Sequence, residues 1–194
     1  LNAAGRMDNP DAALNLLLAR DHYEAEKAAE TLDNYNNERR KIERDISPQA
    51  LENVRERFDP GKDFVIVEGN MEWHLGVIGI VAGRLAERFN RPACVVALDG
   101  GKATGQGVGS GRSVSGVDLG AAVIAACQAG ILIKGGGHKM ACGFTVDSGR
   151  LEELRQFLGD RISAHLGDGG FEVAGGEFEP DRRREDFSLH AGRS

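Results

Sequence analysis

From residue 105 to residue 111 every second residue is glycine: Gly105, Gly107, Gly109 and Gly111. A repeat of two is the period of a β-strand, where alternate side chains point to opposite faces. The segment 103–112 therefore predicts a strand with Thr104, Gln106, Val108, Ser110 and Arg112 on one face, and Ala103 with the glycines on the other. Glycine weakens a strand through chain entropy and lost packing, so some other group must come close to that backbone. Either a helix packs tightly on the glycine face, or a ligand approaches the strand; the two are compatible if they use opposite faces. Ser110 and Arg112, two residues or about 7 Å apart along a strand, are able to converge on one phosphate. A guanidinium offers a fork of donors and the hydroxyl one more. The bland alternative for Arg112 is a surface salt bridge to Asp99 or Asp118. Standard phosphate loops are excluded: Lys102 is followed by Ala103 and lacks the P-loop glycine spacing, and the 105–111 glycines do not fit GxGxxG.

Glycine makes up 13 of the 44 residues from Gly100 to Gly143, and two further segments use it pointedly. Gly135, Gly136 and Gly137 precede His138 and Lys139, which predicts a tight turn whose backbone N–H groups point at one anion. A flexible hairpin with an incidental histidine would account for one glycine better than for three. The stretch Trp73 to Leu85 places His74 before a helix start, where anions are favoured, and Gly76, Gly79 and Gly83 on one smooth helix face. Alone, His74 reads as a capping residue as readily as a ligand.

Around these segments the pattern predicts an α/β domain with a mixed β-sheet flanked by helices, preceded by a long connecting helix. Asn9-Pro10 opens a first helix with Leu14, Leu17 and Leu18 on one face, and Asp21 caps the long helix that follows. Pro48 should kink or restart that helix before it ends near Phe58. Phe64–Val67, Ala93–Leu98 and Met140–Val146 read as buried strands, Gly76–Phe89 and Val117–Ala129 as buried helices, and Ser148 as the cap of a final amphipathic helix. From Gly167 the chain turns charged and glycine-rich.

The three glycine-bearing segments together resemble the DHH-associated domain that follows the catalytic domain in DHH-superfamily phosphoesterases. The stretch 73–85, Gly109-Ser110-Gly111-Arg112-Ser113 and Leu1-Asn2-Ala3-Ala4-Gly5-Arg6 are similar to the RecJ-type single-stranded-DNA exonucleases within it. The similarity covers about residues 1–166, with Ser-Gly-Arg here where Ser-Ala-Arg is common. It implies residues 1–20 as the end of a catalytic domain, 21–60 as the connecting helix, 61–166 as the nucleic-acid-binding domain, and 167–194 as a tail toward an oligonucleotide-binding domain. It implies a 5′→3′ exonuclease acting on single-stranded DNA in repair and recombination, with Mn²⁺ or Mg²⁺ in the parent enzyme. Ser110, Arg112, Gly135, Gly136, Gly137, His138, His74 and Arg6 are then the expected phosphate-binding residues. Other DHH members leave two alternatives: a phosphodiesterase of short oligonucleotides or cyclic dinucleotides, and a tRNA-binding domain.

Charge and metal-ligand content bear on that implication. The net charge is −6, yet residues 61–167 carry 11 basic and 10 acidic side chains, so the acidity lies in the flanks. Between Asp99 and Asp147 the only carboxylate is Asp118. A two-metal hydrolytic site needs several converging carboxylates or imidazoles. The chain has no Asp-His-His, only Asp21-His22 at a helix start, so the catalytic centre is expected on a missing domain and no metal on this one. Cys94, Cys127 and Cys142 form no CxxC pair, which reads as reduced, mostly buried thiols in a cytoplasmic protein. No apolar run is long enough to span a membrane.

Overall fold

The computed structural model describes residues 1–98, 105–167 and 171. Its elements run α1 (Ala4–Met7), α2 (Asp11–Leu18), α3 (His22–Arg57), β1 (Ile66–Asn70), α4 (Leu75–Phe89), β2 (Ala93–Leu98), β3 (Gln106–Arg112), α5 (Leu119–Gln128), β4 (Leu132–His138), β5 (Ala141–Asp147) and α6 (Leu151–Leu166). The five strands form one sheet in the order β1-β2-β3-β5-β4, with β1 and β2 parallel and every other pair antiparallel. The mixed sheet and the long leading helix are those expected from the sequence.

Period two sets what each face does. On the back, Val65, Val67, Cys94, Val96, Cys142, Phe144 and Val146 pack against Leu119, Val123, Leu154, Leu158 and Ile162 of α5 and α6. On the front, Ile66, Ala93 and Val95 pack against Val77, Ile78, Val81 and Leu85 of α4 and against Ile46, Ala50 and Val54 of α3. Each wholly buried Val, Leu or Ile contributes about 1.5–3 kcal/mol, so both helical layers are needed to hold the sheet. Two buried carboxylates fix α3 to the rest. Glu43 pairs with Arg39 and with Arg84 of α4, and Glu68 of β1 pairs with Arg57.

Several local expectations are met in detail. Asp21 accepts a 2.8 Å hydrogen bond from the Glu24 N–H, and Asn9 accepts one from Asp11 as α2 begins. Others are corrected. Helix α3 runs through Pro48 without restarting, because its packed C-terminal half holds the turn despite the lost N–H. Leu14, Leu17 and Leu18 share a face of α2 but are exposed. Ser148 does not cap the final helix: it opens a 3-10 turn, Ser148–Arg150, whose cap is Asp147 accepting from the Gly149 N–H, and α6 follows from Arg150 with no side-chain cap. Cys94 and Cys142 are buried, whereas Cys127 is only half-buried. The largest correction is the triple glycine: Gly135, Gly136 and Gly137 lie within strand β4, and the turn falls at Lys139 and Met140. Most of the tail 167–194, with Thr104, Asp99 and Lys102, lies outside the described residues; Phe171 packs its ring 4.2 Å from the Arg91 guanidinium.

Candidate nucleic-acid interface

The glycines of β3 face the back of the sheet, as the alternation requires. Gly107, Gly109 and Gly111 are buried, while Gln106, Ser110 and Arg112 are half-buried and Val108 is exposed. A side chain at Gly109 would enter the Phe144 ring. One at Gly111 would lie 2.5 Å from the Cys142 Sγ, 2.9 Å from Leu119 and 3.0 Å from the Cys94 Sγ. Packing therefore explains the smooth face, and the ligand question moves to the other one.

On the front, α4 crosses β3 with its own glycines turned inward. A Cβ at Gly79 would sit 2.9 Å from the Ser110 Oγ and 3.2 Å from the Arg112 Nη2, and one at Gly76 would strike the Arg6 carbonyl. Glycine at both places leaves a cleft of about 530 Å³ lined by Arg6, Asp8, His74, Gly79, Ser110 and Arg112. Four of the expected phosphate-binding residues meet there.

Their hydrogen bonds define what they can still do. Arg112 Nη1 donates to the Ser110 Oγ at 3.2 Å and to the Gly111 carbonyl at 2.8 Å, which aligns the pair and, among the described residues, leaves Nη2 and Nε. Asp118 is engaged elsewhere, accepting the Ala121 N–H as the cap of α5. Among the described residues Arg112 forms no ion pair. Arg6 Nη1 donates to the Gly76 carbonyl at 3.2 Å, tying the first residues to the start of α4. His74 caps α4: its Nδ1 accepts the Gly76 N–H at 3.1 Å, so the neutral ring carries its proton on Nε2. Behind the sheet a hydrogen bond between Cys94 and Cys142 pushes the Cys94 thiol well above its ordinary range and holds Cys142 below it; the Arg112 charge adds to the latter.

The other predicted residues are not in the cleft; of them Gly136 and His138 share its face, and Gly135 and Gly137 do not. Arg112 pairs in register with Ala141, and Ala141 with His138. The next rows are Ser110, Gly143 and Gly136, then Val108, Thr145 and Lys134. Directly paired residues point the same way, and strands lie about 4.8 Å apart, so His138 is about 10 Å from Arg112 across the sheet. The middle row is a shallow trough: Gly136 has nothing within 4 Å of a built Cβ, and Gly143 meets only the Gly109 carbonyl at 3.9 Å. His138 repeats the tautomer of His74, accepting the Met140 N–H through Nδ1 at 3.3 Å. Gly135 and Gly137 face the back and pack against Val123, Phe144 and Cys142, so three consecutive glycines serve two faces.

Sequence reasoning counted Lys134 among the cations of a possible positive face without placing it at the site, and missed Asp8. Lys134 would have emerged had period two been read through Lys134, Gly136 and His138 in place of a turn. Asp8 carries no signal of its own, since only the close approach of α1 to α4 brings it to the cleft.

Comparison with known proteins gives a consistent picture. Residues 62–164 match the family model of the DHHA1 domain. The chain is 36% identical over 173 residues to the single-stranded-DNA-specific exonuclease RecJ of Dickeya dadantii (strain 3937), covering 86% of this chain and 29% of that protein. With its Bacillus subtilis (strain 168) counterpart it shares 38% over 161 residues, 82% of this chain and 20% of that one. Among solved structures, RecJ in complex with Mg²⁺ from Thermus thermophilus superposes with a TM-score of 0.72 at 31% identity, over 86% of this chain and 24% of that chain. Exonuclease RecJ bound to manganese gives 0.67 at 32% identity, over 89% and 40%. The chain thus spans less than a third of these curated relatives.

Proposed function

The chain belongs to the DHHA1 domain family, and from that premise we propose that it is the substrate-binding part of a RecJ-like 5′→3′ single-stranded-DNA exonuclease. In this reading the cleft holds the phosphate at the DNA end, and a domain outside this chain performs hydrolysis. Residues 1–20 close that catalytic domain, α3 connects it, and the tail beyond Gly167 leads to a further nucleic-acid-binding domain.

One observation carries the assignment. Arg112 is half-buried on a cleft wall, aligned by Ser110, and without a carboxylate partner among the described residues. A guanidinium withdrawn from water is costly unless an anion meets it, and phosphate matches its remaining donors. Arg6 and the Nε2–H of His74 supply further donors around the same space. From there the glycine trough offers a path across the sheet toward His138 and Lys134, whose long flexible chain can follow a phosphodiester backbone.

The residues of this chain do not fit a two-metal centre. Asp8 and His74 are the only carboxylate and imidazole on the cleft wall, and no group of three or more His, Cys, Asp or Glu is placed to hold a metal ion among the described residues. Mg²⁺ or Mn²⁺ in the parent enzyme would be held by the catalytic domain. This chain's part is to bind, orient and restrain the strand.

The test is direct. Binding of 5′-phosphorylated and 5′-hydroxyl oligonucleotides is compared for wild type, Arg112→Lys and Arg112→Ala, with folding checked for each. Wild type should prefer the phosphorylated end by about tenfold or more, and both variants should lose the preference, since a point charge does not replace a fork of donors. A preference that survives in both variants would remove Arg112 from the site. Tighter binding of tRNA than of single-stranded DNA would favour the tRNA-binding alternative.

A further inference from the structure

The cleft that gathers Arg6, His74 and Arg112 also carries a carboxylate, Asp8. It follows α1, two residues after Arg6. An unrestrained aspartate so close to an arginine gains by pairing with it, yet among the described residues Asp8 forms no ion pair. Its Oδ2 accepts instead a 2.9 Å hydrogen bond from the hydroxyl of Tyr35, which stands on α3. That hydrogen bond raises the Tyr35 ionisation above its ordinary value of 10.0, so the donating proton is retained throughout the neutral range. The bond from α3 holds the Asp8 carboxylate on the wall of an otherwise cationic cleft.

We propose that Asp8 is a specificity-determining residue that sets a charge limit on the cleft, admitting a terminal phosphomonoester and rejecting an end that carries additional phosphates. The role rests on the terminal-phosphate reading above. A monophosphate brings between one and two negative charges, which Arg6 and Arg112 match. A 5′-triphosphate brings more, and its outer phosphates have to share about 530 Å³ with the carboxylate. Like charges a few ångströms apart near a protein surface repel strongly enough to lower affinity by about tenfold or more. Tyr35 acts through Asp8: it is a positioning residue, and its loss should free the carboxylate to swing onto Arg6.

The experiment uses the whole chain in chelator, so that no divalent ion masks the phosphates. Oligonucleotides of one sequence, labelled at the 3′ end, carry a 5′-hydroxyl, 5′-monophosphate or 5′-triphosphate. Wild type should bind the monophosphate about tenfold more tightly than the triphosphate, and Asp8→Asn should bring the two within about twofold while leaving the 5′-hydroxyl unchanged. Tyr35→Phe should narrow the ratio less and weaken monophosphate binding, because a released Asp8 competes for Arg6. A wild type that favours the monophosphate over the hydroxyl, with a ratio to triphosphate that Asp8→Asn does not alter, overturns this proposal and leaves the clamp standing. A uniform gain by Asp8→Asn on all three ends also overturns it, as a long-range charge effect. A wild type blind to the 5′-phosphate overturns the clamp and the charge limit together.

Discussion

The two faces of β3, β5 and β4 use the same residue for opposite ends. On the back, Gly107, Gly109, Gly111, Gly135 and Gly137 are glycine because neighbouring side chains or backbone already fill the space. On the front, Gly136 and Gly143 border open space, and nothing in the fold forbids a side chain there. Glycine at the first set is a packing requirement. At the second it leaves room that no described side chain fills, beside Ser110 and Arg112. The difference teaches that glycine content alone says little about binding until each glycine has been assigned a face.

The sharpest way to break this comparison is one methyl group on the back. Gly109→Ala pushes a Cβ into the Phe144 ring and should cost about 3 kcal/mol or prevent folding, read by urea unfolding. A neutral result would mean that the back is loose and its glycines have another purpose. The thiols sharpen the same boundary. A thiol reagent should modify half-buried Cys127 in the native protein and leave Cys94 and Cys142 unmodified until it unfolds. Rapid reaction of Cys142 would show that the back layer opens. On the front, Lys134→Ala should leave stability within about 0.5 kcal/mol of wild type and lower the salt dependence of single-stranded-DNA binding by roughly 0.7 in slope, one phosphate contact. An unchanged slope would take the strand off the trough. Gly136→Ala should change stability with the opposite sign to Gly109→Ala, a gain of about 0.4–1 kcal/mol from a less flexible unfolded chain. Binding should nonetheless fall, because the methyl group stands where the strand would lie. Were it to destabilise the fold, the two faces would not differ as described.

Much of the architecture was legible because burial imposes periods. The alternation over 105–111 marked β3 and the orientation of Ser110 and Arg112, and the apolar runs marked β2 and α4; the run Phe64–Val67 met β1 only at Ile66 and Val67, since the strand runs on to Asn70. Strand β4 escaped because Lys-Gly-Gly-Gly-His shows its alternation only at its two ends, and three glycines in a row are the ordinary signature of a turn. Its strand conformation comes from pairing with β5 and from α5, whose Gly120 lets the His138 backbone approach to 2.8 Å of a built Cβ. The restart at Pro48 did not occur for a related reason: local propensity was outweighed by the packing of Ile46, Ala50 and Val54. Residues of the site were thus easier to find than the geometry that unites them. The cleft itself depends on α1 docking against α4, which no local pattern encodes.

That docking has a thermodynamic consequence. Arg6 and Gly76 are 70 residues apart in sequence, and the cleft exists only while the main chain of one lies against the other. An unfolded or partly unfolded chain has no such space, so a ligand that enters it binds the native state alone. Mass action then couples occupancy to global stability. A terminal phosphate supplied at a hundredfold its dissociation constant should raise the free energy of unfolding by about 2.7 kcal/mol, and the melting temperature should climb with ligand concentration even where the ligand touches neither hydrophobic layer.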